Sequence, residues 1–342
     1  MSDLSGIEWT RSTWNPTVGC SLMSPGCTNC YAMHFAHRLS TAFGNAAGRK
    51  YKGLTRKVKG NPVWTGVVRT ADEALEIPLR WRKPRLVFVN SMSDLFHDSL
   101  PVQAVDRVFA VMGLAGQHIF QLLTKRPDRM RDYLNDPATE TRVRAAAEAI
   151  RPGVGIGAWP LENVWCGTSV EDQMRADERI VQLLQTRAHT RFLSIEPLLG
   201  PVRLAQAAPA AALRPSKGRS GLHWVIVGGE SGRRARPMHP AWALALRDEC
   251  RRLRIPFFFK QVGQWGWHDI GRKRRTIGLL PDGRQVPPGT PGAVTLYSVG
   301  KKLAGKLLDG EVLQDYPPDG RAIAMTSRLS RRPRQKRLVH AA

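Results

Sequence analysis

The chain has 342 residues, of which 42% are apolar, and this is enough for a sizeable core in one large domain or two ordinary ones. Its 52 lysines and arginines against 28 acids give a net charge of +24, which suggests a polyanionic partner, nucleic acid first. The first residues lack the regions of a secretory signal and no apolar run is long enough to span a membrane, so we expect a cytoplasmic protein with no membrane association.

Short apolar segments alternate with helical patterns along most of the chain. Segments rich in Val, Ile, Leu and Phe predict buried parallel strands at residues 17–20, 86–90, 119–124, 164–169, 191–195, 223–228 and 256–260. Helical patterns cover residues 29–39, 101–114, 127–134, 171–185 and 240–253. Strands that alternate with helices predict a parallel α/β architecture, either a barrel or a doubly wound sheet.

Polar and charged side chains follow nearly every predicted strand. They are Ser91, Ser93, Asp94, Thr124, Lys125, Arg126, Thr168, Ser169, Glu171, Glu196, Glu230, Ser231, Lys260 and Gln261. In a β/α barrel the carboxyl ends of the strands share one rim, where active sites lie, so this distribution favours a partial or irregular parallel β/α barrel of the TIM type. Helix capping also attracts Ser, Thr and Asp to these positions, but it does not explain Lys125, Glu196 and Lys260.

Four of these charged residues are candidates for direct roles in a site. Lys125 and Lys260 are suited to anchor a carboxylate or a phosphate, and Glu196 to accept hydrogen bonds from a ribose or an ammonium group. We predict catalytic roles for these three. Glu171 is predicted to bind a cofactor in the same way, although an acid at a helix amino terminus also explains its position.

Three segments depart from the strand–helix pattern inside a predicted single domain of residues 1–318, and a fourth follows that domain. Residues 41–66 form a basic insertion, and residues 205–220 are rich in Ala and Pro, which predicts a flexible loop. Residues 264–318 have more Gly, Pro and Arg and predict an irregular segment. Residues 319–342 predict a basic, disordered tail.

The cysteines concentrate near the amino terminus, in the pattern Cys20-x6-Cys27-x2-Cys30. In a reducing compartment such a cluster indicates metal binding or catalysis in place of disulfides. Three thiolates on a four-iron cluster leave one iron open to another ligand, which suits catalysis. Cys166 and Cys250 lie in apolar segments and are interpreted as buried small residues.

Zinc is the competing interpretation of the cysteine pattern. His34 and His37 follow Cys30 closely, so a site with three cysteines and one histidine is possible. The spacing alone leaves both an iron–sulfur cluster and zinc open.

Long segments of the chain resemble the phage and bacterial family named after phage gene products thirty-seven and sixty-eight. They are GIEWTRSTWNPTVGCSLMSPGCTNCYA, VFVNSMSDLFHDSLP, FQLLTKRPDRM, VWCGTSVEDQ, RFLSIEPLLGP, WVIVGGESG and FFFKQVGQW. The resemblance covers roughly residues 7–318 and implies little about activity.

A more distant similarity is to radical S-adenosylmethionine (SAM) enzymes of the spore-photoproduct-lyase type. The residues that carry it are Cys20, Cys27, Cys30, Tyr31, Ala32, Ser93, Asp94, Thr124 and Lys125. It implies that the three cysteines bind a 4Fe-4S cluster, with Ser93 and Asp94 near the methionine part of SAM and Thr124 with Lys125 at the next strand end. It also implies an electron donor.

Two features depart from that family's pattern. Six residues separate Cys20 from Cys27, where these enzymes typically have three, so the loop must bulge. Gly228-Gly229-Glu230 follows a late strand, whereas the Gly-Gly-Glu that binds the methionine part follows the second strand in that family.

Three functions therefore remain in view. The first is a radical SAM-like enzyme acting on nucleic acid or a nucleotide, and the second is a zinc-containing nucleic-acid-binding protein without catalysis. The third is a metal-dependent nuclease that uses Asp94, His97 and Asp98. The oligomeric state is not indicated by the sequence.

Overall fold

The computed structural model describes residues 5–42, 46–216, 220–271 and 274–329. The strands, in chain order, are β1 Ser12–Trp14, β2 Thr17–Val18, β3 Thr55–Val58, β4 Asn61–Trp64, β5 Arg69–Thr70, β6 Leu86–Val89, β7 Ile119–Thr124, β8 Val164–Ser169, β9 Thr190–Ile195, β10 Trp224–Gly228, β11 Phe257–Gln261, β12 Trp265–Gly266, β13 Thr276–Leu279, β14 Gln285–Val286 and β15 Val294–Ser298. The helices are α1 Tyr31–Ala42, α2 Ala46–Arg49, α3 Asp72–Leu75, α4 Val102–Leu114, α5 Pro127–Asn135, α6 Ala138–Ile150, α7 Gln173–Gln185, α8 Leu204–Ala207, α9 Ala210–Leu213, α10 Pro240–Leu253, α11 Lys301–Ala304 and α12 Pro318–Leu329, with 3₁₀ turns at Pro25–Cys27 and Ile77–Arg80.

Seven parallel strands form the main sheet, in the order β1-β6-β7-β8-β9-β10-β11. Each strand of the sheet lies beside the next one along the chain, and helices make the crossovers between most of them, as parallel pairing requires. The sheet curls into a half-barrel. The predicted partial parallel β/α barrel is confirmed.

The first strand was predicted at residues 17–20, and this prediction is wrong. The first strand of the sheet is β1, while β2 pairs antiparallel with β5 outside the sheet. Pro16 separates the two segments, and a proline has no amide hydrogen to continue a ladder, so the pairing of β1 with β6 ends at Trp14.

Side chains alternate between the two faces of the half-barrel, as the period of two in a strand requires. On β10, Val225 and Val227 pack into the outer cluster with the helices, whereas Trp224 and Ile226 pack into the inner cluster. Because both faces are buried, the strands appear in the sequence as continuous apolar runs.

Aromatic residues fill the interior of the half-barrel at its amino-terminal end. Trp224 lies at the centre of this inner cluster, and its ring contacts those of Trp9, Trp165, Phe192, Phe258 and Tyr316. Ala324 of α12 joins the same cluster. The inner cluster therefore fills this end of the interior, and a cavity opens toward the carboxyl ends of the strands.

Three predicted irregular segments contain regular structure. The insertion at residues 41–66 includes α2 and the hairpin of β3 and β4, and the predicted loop at residues 205–220 includes α9. The segment at residues 264–318 forms a four-stranded sheet in the order β12-β15-β13-β14, because its glycines occupy turns between short strands. The disorder predicted from residue 319 is wrong as far as α12 extends, and residues 330–342 lie outside the described residues.

Among the helices that the structure describes, none combines the length and the apolar character needed to cross a bilayer.

Candidate active site

A cavity of about 430 Å³ opens at the carboxyl ends of the parallel strands. On one side it is bounded by the cysteine loop, which we define as residues 19–30. The predicted site residues that line it are Cys20, Cys27, Cys30, Ser93, Asp94, Thr124, Lys125, Glu196 and Lys260. The structure thus brings nine of the ten predicted site residues to one cavity and leaves only Glu171 outside its lining.

The cysteine loop begins at Gly19, whose φ is +94°. A Cβ atom at this position would lie 2.1 Å from the carbonyl oxygen of Val67, so no residue with a side chain fits. The Gly19 amide donates a hydrogen bond of 3.1 Å to the carbonyl oxygen of Met92. This bond attaches the start of the loop to the segment after β6 and brings Cys20 to the strand ends.

The three thiols lie close enough to influence one another. Burial, with a contribution from Asp94, raises the pKa of Cys20 to about 12, and burial also raises the pKa of Cys30. Repulsion between Cys20 and both other thiols, and between Cys30 and Cys27, adds to these increases. The amide of Met23 lies 3.5 Å from Sγ of Cys27, so the loop also directs a backbone donor at a sulfur.

Single-ion geometry is absent from the described part of the chain. No group of three or more His, Cys, Asp and Glu side chains there is placed to hold one metal ion. His34 is exposed, His37 Nδ1 lies 3.3 Å from Thr55 Oγ1 of the β3–β4 hairpin, and neither histidine lines the cavity. The arrangement therefore does not favour a zinc site with three cysteines and one histidine.

Asp94 is buried and uses both carboxylate oxygens in hydrogen bonds within the protein. Its Oδ1 accepts from Thr124 Oγ1 at 2.7 Å and from the Phe96 amide at 3.0 Å, and its Oδ2 accepts from the Lys125 amide and from Arg126. Asp94 therefore fixes the end of β7 and the residues after it. This contact set identifies a positioning residue.

Arg126 connects the strand ends to the cysteine loop. Its side chain is 2% exposed, and it donates to Ser21 Oγ at 2.7 Å as well as to Asp94 at 3.2 Å. Burial opposes the charged guanidinium, but the neighbouring Asp94, Cys20 and Asp98 outweigh it and raise the pKa of Arg126 above its usual value. Arg126 is therefore always charged, and its hydrogen bond holds Ser21, the residue directly after Cys20.

The three residues suggested for a nuclease do not converge on one point. Asp94 is saturated as described above, and Asp98 is exposed and pairs with Arg126 and Arg129. His97 Nε2 lies 2.9 Å from Ser21 Oγ, and burial together with Arg126 lowers its pKa. The group supports the cysteine loop and does not form a divalent-metal site.

Glu171 is fully buried and does not line the cavity. Its carboxylate accepts a hydrogen bond of 3.2 Å from the Gly26 amide of the cysteine loop and pairs with Lys125 at 3.3 Å and with Arg179 at 3.4 Å. Burial opposes its ionisation, but these partners, with Ser24, lower its pKa below the usual value. Glu171 was predicted to contact a cofactor; in the structure it lies outside the cavity lining and holds the loop through these contacts.

A second buried carboxylate, Glu230, holds the other side of the loop. It accepts from Asn29 Nδ2 at 3.0 Å and forms a bidentate pair with Arg236, with the shortest contact at 2.6 Å. Arg236 in turn donates to the carbonyl oxygen of Pro25 at 3.0 Å. Asn29 and Pro25 are both loop residues, so the loop is tied to the end of β10.

Glu196 and Lys260 form an ion pair of 2.7 Å in the wall of the cavity. Gln261 donates to the same Glu196 oxygen at 3.3 Å. Both charged side chains are mostly buried, with 18% and 13% of their surface exposed. The pair is the main charged feature of this wall.

Ser93 and Tyr31 complete the wall near the first strands. Ser93 Oγ lies 2.7 Å from Thr17 Oγ1 and donates to the Thr17 carbonyl oxygen, while the Tyr31 hydroxyl donates to the Ser91 carbonyl oxygen at 2.9 Å. Ser93 is therefore held by β2, the segment first interpreted as a core strand.

Several site residues were not predicted from the sequence. Ser21, Asn29, Glu230 and Arg236 hold the loop, and only Glu230 had a visible signal, since it directly follows a glycine pair at a strand end. Contacts such as that between Gly26 and Glu171 join residues 145 positions apart, and no local pattern indicates them.

Comparison with known families adds one finding to this geometry. A family model described as a protein of unknown function, DUF5131, matches residues 4–317. The chain belongs to this family. Neither the curated proteins nor the solved structures gave a match.

Proposed function

We propose that the protein is a radical SAM-like iron–sulfur enzyme that acts on nucleic acid or on a nucleotide. The observation that carries the proposal is the single cavity lined both by the three cysteines and by the polar strand ends of a parallel half-barrel. A binding module without catalysis has no need of such a rim.

The donor set fits a cluster better than it fits a single ion. Three thiols share the cavity, and among the described residues no group of three or more His, Cys, Asp and Glu side chains is placed to hold a single ion. A multi-iron cluster holds its thiolate ligands further apart than one zinc ion does, which agrees with the absence of single-ion geometry. When bound, such a cluster supplies an open iron for SAM and the electron that cleaves it.

The protein's own residues prepare the loop that would hold the cluster. Arg126 fixes Ser21, Glu171 fixes Gly26, and Glu230 with Arg236 fixes Asn29. Three sides of the loop are thus attached to three different strand ends. This support keeps the three thiols oriented before any ligand binds.

Three charged residues at the cavity wall are placed to contact a ligand. Glu196 Oε1 is engaged by Lys260 and Gln261, but its Oε2 makes no hydrogen bond to a described residue and is available to a hydroxyl or an ammonium group. Lys125 and Lys260 carry positive charge at the cavity wall, where a carboxylate or phosphate would be attracted. We propose catalytic or ligand-orienting roles for these three residues.

The test is the metal content and chemistry of protein purified and reconstituted without oxygen. We expect iron and sulfide in amounts that match a four-iron cluster, visible absorbance, and formation of 5′-deoxyadenosine when SAM and a reductant are added. A colourless protein that retains zinc and releases no deoxyadenosine would overturn the proposal and support the zinc alternative.

The remaining parts of the proposal follow from the same assignment. The reaction would need an electron donor, and the protein would work in the cytoplasm, where thiols stay reduced. The likeness to the phage family of gene products thirty-seven and sixty-eight stays a prediction.

A further inference from the structure

The β3–β4 hairpin, residues 55–64, projects an unpaired positive charge. Arg56, Lys57 and Lys59 are exposed, and the backbone turns at Lys59 and Gly60 with φ values of +47° and +77°. Residues 41–66 contain no acid at all. Among the described residues, no carboxylate lies within ion-pair distance of these three cations.

The base of the hairpin belongs to the cavity. Trp64, at the end of β4, lines the cavity and packs with Ala32, Met33 and Ala36 on the buried face of α1. Four residues of extended strand separate Trp64 from the tip, so the tip stands roughly 13 Å away. The cations of the hairpin are therefore within a few nucleotides of the cysteines.

A second basic segment contacts the cysteine loop directly before α1 begins. Arg233 and Arg234 are exposed, and the Arg234 carbonyl oxygen accepts a hydrogen bond of 3.0 Å from Asn29. Two aromatic residues, Tyr31 and Phe35, are exposed on α1 between these contacts, at 57% and 39%. They are four positions apart and so lie on one face of the helix.

Three arginines on the outer helices contrast with the hairpin cations. Arg107, Arg144 and Arg251 are also exposed, but each has an acidic partner, at 2.9, 2.8 and 3.6 Å. Unpaired cations around exposed aromatic rings are the features that single-stranded nucleic acid requires, because phosphates need charge and bases need stacking surfaces.

We propose that the hairpin and the Arg233–Arg234 turn bind the phosphates of a single strand of nucleic acid, whose bases stack on Tyr31 and Phe35 over the cysteine cavity. This inference rests on the proposed function, since it identifies the substrate as a strand and not a free nucleotide. It assigns the strand's path to α1 and its two basic neighbours.

The first experiment compares two full-length variants that lose the same charge. One carries Arg56→Gln, Lys57→Gln and Lys59→Gln, and the matched control carries Arg107→Gln, Arg144→Gln and Arg251→Gln. Binding of a fluorescein-labelled single-stranded oligonucleotide is measured by anisotropy between about 50 and 200 mM salt. The hairpin variant should flatten the log–log salt dependence by about 2, at roughly 0.7 for each phosphate that the variant no longer neutralises, and the control should stay close to the parent. Equal slopes in both variants would overturn the proposal.

The second experiment tests the stacking surface and the choice of strand. Phe35→Ala should weaken single-strand binding at least about fivefold, since stacking contributes about 1–3 kcal/mol per base, and should leave duplex binding unchanged. If the variant binds the single strand as the parent does, or if duplex binds more tightly than the single strand, the assignment of a single strand is wrong.

Binding and cluster content are separate measurements. A hairpin effect in protein that contains no iron would leave the docking surface standing and overturn the proposed function. A protein with a full cluster and active SAM cleavage, but with no hairpin effect, would leave the proposed function standing and overturn the docking surface.

Discussion

The cysteine face and the outer helical layer place many of their charged residues differently. On the outer helices, several exposed arginines pair with acids, as Arg144 does with Glu140. On the cysteine face, the carboxylates of Glu171 and Glu230 are buried and hold the loop, and the buried Asp94 holds the end of β7, while the exposed cations of the hairpin have no acid partner among the described residues.

This difference explains how a basic surface and a rigid loop can occupy one face. A buried carboxylate that accepts several hydrogen bonds stabilises a backbone strongly, but it no longer neutralises the surface above it. Turning the acids inward therefore fixes the thiols and at the same time leaves the outside positive. The outer layer also has buried acids, since Glu249 of α10 accepts from the amides of Leu204 and Ala205, but others such as Glu140 stay at the surface and pair with arginines there.

The largest expected contrast between the two regions concerns the cysteines. Alanine at Cys20, Cys27 or Cys30 should abolish iron and sulfide incorporation, because each thiol supplies one of three ligands. Cys166→Ala and Cys250→Ala should retain the parent's content, since both thiols are buried in the outer cluster. Iron and sulfide quantitation on oxygen-free reconstituted protein decides the matter. A Cys27→Ala variant with the parent's metal content would refute the assignment.

Two aspartates that contact the same arginine give the next largest contrast. Asp94 and Asp98 both pair with Arg126, but Asp94 is 7% exposed and Asp98 is 69% exposed at the side chain. Asp94→Asn should lower the free energy of unfolding by about 3–5 kcal/mol, because it leaves a buried guanidinium without its buried charge partner and with only the exposed Asp98. Asp98→Asn should change it by no more than about 1 kcal/mol. Urea denaturation measures both, and equal losses would show that Arg126 is not held as described.

Two glycines test how closely the loop fits its support. A Cβ at Gly26 would lie 3.1 Å from both Lys125 Nζ and the Glu171 carboxyl carbon, whereas nothing lies within 4 Å of one at Gly155. Gly26→Ala should destabilise by about 1–3 kcal/mol through overpacking. Gly155→Ala, at an exposed site without positive φ, should stabilise by about 0.4–1 kcal/mol. Thermal unfolding of both variants gives the comparison, and a stabilising Gly26→Ala would mean that the loop is loose.

Most of the fold could be predicted because its strands are buried on both faces. The runs at β6 to β11 are continuous and apolar, and helical patterns separate most of them. The error at β1 came from a strand of three residues, too short to give a pattern, beside a proline that ends it. The small sheet from β12 to β15 was missed because its strands are two to five residues long and separated by glycine turns.

The sequence was enough to predict which residues belong to the site, but not what each of them does there. Strand-end positions identified Asp94, Glu196 and Lys260 because parallel strands share one rim. Whether a carboxylate faces the cavity, as Glu196 does, or turns behind the loop, as Glu171 does, depends on contacts between distant segments. No periodicity contains that information.

The smallest expected effect is a change in the free energy of unfolding, and it has opposite signs on the hairpin and on the outer helices. Lys57→Gln removes a cation from a surface with no acid partner, so it should relieve repulsion and raise the free energy of unfolding slightly at low salt. Arg144→Gln removes one half of an i,i+4 ion pair on α6 and should lower it by about 0.3–0.5 kcal/mol. Both changes should shrink as salt is added, because screening weakens exposed interactions of either sign. Chemical denaturation at low and high ionic strength checks this pattern. If Lys57→Gln is destabilising at low salt, the hairpin charge has a partner within the fold, and the contrast between the two regions does not hold.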